Sequence, residues 1–227
     1  ALDEPAAGNA IHGLLRYTFY DVVDRAADAI TLAARLAPQP GWPVPLATQV
    51  RYAVAADGLT VTHTVTNVGA AAVPFGVGAH PYVRVGDAAT DDCALQLAAT
   101  TALPLAGGLP TGPAVPVEGH TDFRDGRPLR GLTLDDAFGG CVPAAGDDLV
   151  RHRLLGPAGG VAGGVEVWAE PAFGWVQVYT PGDHPGRGRA VAVEPMTCPP
   201  DALNSGTGLI TIEPGETWQG RWGIRPI

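Results

Sequence analysis

Gln49-Val50-Arg51-Tyr52-Ala53-Val54, the link Ala55-Ala56-Asp57-Gly58 and the run Leu59-Thr60-Val61-Thr62-His63-Thr64-Val65-Thr66-Asn67 decide the fold class. In the second run the even positions 60 to 66 are all Thr and the odd positions are mostly apolar, so apolar side chains fall on one face of a strand. The first run alternates in the same way. Asp57-Gly58 between them is a hairpin turn signal. His63 falls on the apolar face and reads as a core residue with its polar atoms satisfied.

Outward from this hairpin the same period of two recurs. Strands are expected at Tyr17 to Val23, Ala29 to Leu36, Val73 to Val85 with a break near Gly76-Gly78, and Ala94 to Ala99. Further strands are expected at Val150 to Leu155, Val165 to Ala169, Trp175 to Tyr179, Ala190 to Val193, Leu209 to Ile212 and Thr217 to Ile224. No window carries a sustained helical stripe. Many short strands at near-regular spacing predict an all-β fold, a sandwich or a barrel. Pro38 to Pro45 and Leu103 to Arg130 are looser regions, the second with the Gly, Pro and polar content of long loops. No linker divides the chain, so one domain over residues 1–227 is expected.

With 46% hydrophobic residues the chain has material for a sizeable core, and 31 Gly and 22 Pro imply many turns between short elements. The net charge of -9 disfavours nucleic acid and anionic membranes as partners. All fourteen basic residues are Arg, which excludes a Schiff-base lysine and a Walker lysine. Cys93, Cys141 and Cys198 are odd in number and widely spaced, so neither a zinc site nor a disulfide framework is expected. A cytoplasmic setting fits this cysteine usage. No apolar run approaches the roughly 18 residues of a membrane span.

Four segments have the residue types for proton chemistry. In Asn9-Ala10-Ile11-His12-Gly13-Leu14-Leu15-Arg16, the glycine after His12 permits close backbone approach to a ligand; an ordinary surface histidine is the competing reading. In Pro74-Phe75-Gly76-Val77-Gly78-Ala79-His80-Pro81-Tyr82, Pro81 favours an extended His80, and a histidine titrates near 6.5, suited to acid or base work. In Val191-Ala192-Val193-Glu194-Pro195 a small apolar strand runs into a carboxylate and then leaves through a Pro-rich turn. Partial burial raises such a group towards the range of a general base. In Leu132-Thr133-Leu134-Asp135-Asp136-Ala137-Phe138 the adjacent acids point to opposite sides, so at most one faces a given ligand; by itself this segment reads as a solvated turn. His120, His152 and His184 sit in turn-like or polar contexts. No HxH or HExxH occurs, so no metal site is expected.

Taken in order, His12-Gly13 with Arg16, Gly78-Ala79-His80-Pro81-Tyr82, Leu134-Asp135-Asp136-Ala137-Phe138, Glu194 with Pro200-Asp201-Ala202-Leu203-Asn204, and Pro214-Gly215-Glu216 resemble the aldose 1-epimerase family over nearly the whole chain. The resemblance implies the galactose mutarotase-like β-supersandwich, a large antiparallel sandwich. It implies that His80 is the acid that protonates a sugar ring oxygen and Glu194 the base at the anomeric hydroxyl. His12, Asp135 and Arg16 are then sugar-binding residues, with Asp136 the less suited of the acid pair.

The implied substrate is a small-molecule aldohexose such as glucose or galactose, and the protein a monomer or homodimer. Anomer exchange moves only protons, so it requires no redox cofactor. Typical members carry a segment ahead of the His-Gly motif. Here His12 stands near the start of a chain that begins at Ala1 without Met, so that segment is expected to be missing, leaving the pocket open on one side and a sheet edge exposed. Val83 departs from the Phe that many members have after His-Pro-Tyr. Two other functions are compatible with these motifs: a hexose-6-phosphate mutarotase, which needs an arginine cluster such as Arg187 and Arg189, and a sugar-binding sandwich without turnover.

Overall fold

A computed structural model describes residues 3–5, 8–157 and 163–227. The strands in chain order are β1 (Asp21–Arg25), β2 (Ala29–Leu36), β3 (Leu46–Ala55), β4 (Gly58–Asn67), β5 (Val73–Phe75), β6 (Tyr82–Val83), β7 (Ala94–Gln96), β8 (Thr101–Leu103), β9 (Leu105–Ala106) and β10 (Leu109–Pro110). They continue as β11 (Val115–Pro116), β12 (Arg127–Pro128), β13 (Asp135–Gly139), β14 (Val150–Leu155), β15 (Gly164–Ala169), β16 (Trp175–Tyr179), β17 (Val191–Met196), β18 (Ile210–Ile212) and β19 (Thr217–Pro226). One α-helical turn, α1 (Ala202–Ser205), follows β17.

These form two main antiparallel sheets. One has nine strands in the order β1-β2-β3-β4-β19-β15-β14-β7-β12, and the other six, in the order β11-β8-β13-β16-β17-β6. The core lies between them. Val61, Leu154 and Val167 from the larger sheet and Phe138, Val176 and Val193 from the smaller belong to one buried cluster. Of the sandwich or barrel that the alternation leaves open, this is the antiparallel sandwich that the resemblance implies, and the β3–β4 hairpin pairs from Leu46↔Asn67 to Ala55↔Gly58. His63 is half-buried rather than a core residue, and Trp222 Nε1–H donates to its Nε2 at 3.0 Å.

Several elements differ from expectation. The first strand begins at Asp21, not Tyr17, because Thr18 N–H is taken by Leu15 O in a local turn at 3.2 Å. All five residues of β1 are exposed at the edge of the larger sheet. Leu103 to Arg130 is not a plain loop; it holds β9 to β12 and a 3₁₀ turn at Gly119–Thr121. These pairings are two residues long, too short to leave a period in the sequence. Asp135–Gly139 is a strand bonded on both sides, by β8 and β16, so sheet pairing overrides its local turn character. His152 is not in a polar setting: it lies on the inner face of β14 and is 1% exposed.

The strand bearing Glu194 runs on through Pro195 to Met196. Pro195 has no N–H to give the ladder, but its carbonyl accepts from Ala79 N–H at 3.1 Å. Among the described residues no helix is long and apolar enough to cross a membrane.

Candidate functional site

Alternation on the smaller sheet assembles one face. Register aligns Ala137, Gln177 and Glu194 across β13, β16 and β17, and Asp135, Tyr179 and Ala192 one step along. Side chains two apart share a face, so Asp135, Tyr179, Gln177 and Glu194 stand together. Val176, Val178, Val191 and Val193 point into the core. Asp136 alternates away from Asp135, and its own burial raises its pKa. The pair therefore separates onto two faces, with Asp135 exposed and Asp136 half-buried.

His80 reaches this face along the rim of β17. Thr197 N–H donates to Val77 O at 2.9 Å, Ala79 N–H to Pro195 O at 3.1 Å and Val193 N–H to Pro81 O at 3.2 Å. These bonds lay the 77–81 segment against the strand that carries Glu194. Gly76 is required for the close approach, since a Cβ there would come within 2.3 Å of Cys198 Sγ. His80 Nε2 then lies 3.3 Å from Glu194 Oε1, with the His80 side chain 32% exposed and that of Glu194 10%. Behind the segment is a cavity of about 380 Å³ lined by Tyr20, Tyr52, His63, Phe75 and Trp222, with His80 on its wall.

Burial raises the Glu194 carboxyl to about 8, and the negative charge of Asp135 adds to the rise. Burial lowers His80, and neighbouring His12 lowers it further, against its own backbone hydrogen bond and Asp135. The close contact therefore holds one proton near neutrality and is not a resting ion pair. Carboxyl and imidazole are each displaced towards the neutral form, a combination common where proton transfer occurs.

His12 brings its ring edge-on to His80, with centroids 5.5 Å apart. It adopts a left-handed backbone, φ 62°, followed by Gly13 at φ 64°. Arg16 turns the other way: it pairs with Asp3 at 3.5 Å and lies over the Tyr17 ring. The structure thus brings His12, His80, Asp135 and Glu194 to one place and leaves Arg16 beside them, engaged elsewhere.

Sequence reading missed Gln177. Its Nε2–H donates to Asp135 Oδ1 at 2.8 Å, and its buried Oε1 has no protein partner. Its signal was a lone amide at the centre of Trp175-Val176-Gln177-Val178-Tyr179, on the polar side of the alternation. Tyr82 and Tyr179 were also missed; both rings pack on His80, at centroid distances of 5.1 and 6.3 Å. Among the described residues no group of three or more His, Cys, Asp or Glu is placed to hold a metal ion.

The comparisons agree with this architecture. A galactose mutarotase-like protein from Clostridium acetobutylicum superposes with a TM-score of 0.85 at 16% identity, over 100% of this chain and 72% of that one. The GalM/aldose epimerase homologue from C. elegans gives 0.75 at 16% identity, over 92% and 68%. In sequence, the uncharacterized protein YihR of Escherichia coli K12 is 32% identical over 217 residues, 95% of this chain and 67% of YihR. The profile described as aldose 1-epimerase matches residues 3–225, almost the whole length. The chain belongs to the aldose 1-epimerase family.

Proposed function

We propose that the protein interconverts the α and β anomers of a free aldohexose such as glucose or galactose, with His80 as acid and Glu194 as base. The observation that carries this reading is the 3.3 Å contact between His80 Nε2 and Glu194 Oε1 on an open sheet face. The two oxygens that exchange protons in a hemiacetal, ring oxygen and anomeric hydroxyl, share one carbon. An acid and a base that both reach that carbon can serve both, and His80 and Glu194 are neighbours on one face.

The reactive form carries the pair's single proton on His80 and leaves Glu194 ionised. Glu194 takes the anomeric hydroxyl proton, the electron pair forms the carbonyl, the bond from the first carbon to the ring oxygen breaks, and His80 protonates that oxygen. Rotation about the first carbon–carbon bond presents the other face of the aldehyde. Closure returns both protons with the roles reversed. Each group contributes about 10²–10⁴-fold. In this reading His12 and the Gln177-held Asp135 bind hydroxyls of the same sugar, and Arg16, paired with Asp3, joins them only by leaving it.

For a 6-phosphorylated sugar an arginine cluster is needed, and Arg187 and Arg189 are engaged otherwise. Arg187 Nη2 donates to Ala88 O at 2.9 Å, and Arg189 binds Asp91 and the carbonyls of Leu129 and Leu132. The free-sugar reading is tested by following the optical rotation of freshly dissolved α-glucose and α-galactose with active and heat-denatured protein. Acceleration of at least one sugar by the active protein alone is expected. Binding of both sugars without acceleration of either would assign the site to recognition instead.

A further inference from the structure

The loop of residues 181–190 joins β16 to β17, the strands that carry Gln177 and Glu194. It is closed on itself. His184 N–H donates to Gly188 O at 2.7 Å, Gly188 N–H to His184 O at 2.8 Å, and Ala190 N–H to Pro181 O at 3.1 Å. Gly186 and Gly188 have φ of 73° and 70°, a backbone that only glycine adopts without strain. The loop is also tied to the body of the protein. Arg187 holds Ala88 O, Arg189 holds Asp91 and two carbonyls, and Thr90 Oγ1–H donates to Arg189 O at 3.0 Å.

This anchored loop presents one ring to the site. His184 packs edge-on against Tyr82 with centroids 4.4 Å apart, and Tyr82 packs in turn on His80 at 5.1 Å. His184 Nδ1 lies 3.1 Å from Pro185 O, a carbonyl that can only accept. Tyr82 needs such support. It lies on a two-residue edge strand and is 39% exposed, beside Tyr179, Glu194 and Asp183.

We propose that His184 is a positioning residue that acts on His80 through Tyr82. The chain of contacts runs from the arginine-anchored loop through two rings to the imidazole that faces His12, Asp135 and Glu194. Its effect on turnover rests on the proposed function; its effect on His80 does not. Aromatic pairs of this geometry are weak individually, so removing one is expected to lower kcat about 3- to 10-fold by releasing Tyr82 and admitting water beside His80.

The test compares His184→Ala with His184→Phe, which keeps a ring and loses the nitrogens. The midpoint of the His80 imidazole is read by NMR titration, alongside kcat and KM from polarimetry. In the Ala variant the His80 midpoint should rise towards the ordinary imidazole value and kcat should fall, with KM within about twofold. In the Phe variant both should return to near wild type. An unchanged His80 midpoint in the Ala variant, or a Phe variant no better than Ala, overturns the proposal. Tyr82→Leu removes the middle ring and should move the His80 midpoint in the same direction even if the Ala variant fails to fold. A wild type without turnover removes the proposed function, while the NMR shift still decides the positioning role.

Discussion

His80 Nε2 and Glu194 Oε1 are 3.3 Å apart, yet burial moves their proton affinities in opposite directions, Glu194 up to about 8 and His80 below its ordinary value of 6.5. Two groups this close titrate as a pair. The working state holds one proton between them. A second proton is added below 6.5 and the last is lost near 8. We expect a bell-shaped kcat/KM with its acid limb below 6.5 and its alkaline limb near 8, read by polarimetry across the pH range. A flat profile through both limbs would contradict the assignment.

A carboxylate tuned this way destabilises the fold at alkaline pH. Glu194 ionises at 4.5 in the unfolded chain and near 8 in the folded one, so between these values the folded state binds more protons and stability falls as pH rises. Glu194→Gln escapes that cost. Urea unfolding should show the variant equal to wild type in acid and more stable in alkali, by about 1.4 kcal/mol for each unit of the separation at most. Equal stability at both ends would show that Glu194 is not held neutral.

Gln177→Leu removes the amide that holds Asp135 Oδ1 at 2.8 Å. A hydrogen bond to a charged group that orients a binding carboxylate is worth roughly tenfold in affinity. KM for the sugar should rise by about that factor while kcat changes less than about threefold. An unchanged KM would show that Asp135 needs no partner or binds no substrate.

Half-buried His63 and fully buried His152 are both held down at about 4 by burial. Here the folded pKa lies below the unfolded 6.5, so protons bind the unfolded chain first, and stability is lost as pH falls from 6.5 towards 4. His152→Gln should make that decline shallower by up to about 1.4 kcal/mol per pH unit. Denaturation midpoints at several pH values check this; an unaltered slope would mean that His152 is already charged in the fold.

The all-β class was legible because strands alternate: Ala29–Leu36, Val150–Leu155 and Trp175–Tyr179 are strands over the lengths their periods predict, whereas the choice of sandwich over barrel came from the family motifs. The two-residue pairs within Leu103 to Arg130 were not legible, since a period of two needs more than two residues to register. At the site, His80 and Glu194 stood out by residue type and neighbours. Gln177 did not, because its place is set by register: only the pairings Ala137↔Gln177 and Gln177↔Glu194 bring it between Asp135 and the carboxyl. His152 was misread for a related reason, as Arg151 and Arg153 on either side disguise an inward-facing position. The arginines fold outward onto Glu166, and the imidazole is left in the core.

The central claim is that Glu194 is the base in anomer exchange, and the decisive measurement is the first-order change in optical rotation of fresh α-glucose and α-galactose with wild type and Glu194→Gln at equal concentration near pH 7. Wild type should accelerate the change and the variant should lose about 10²-fold or more of that acceleration, with folding intact. Equal rates for the two proteins would contradict the claim.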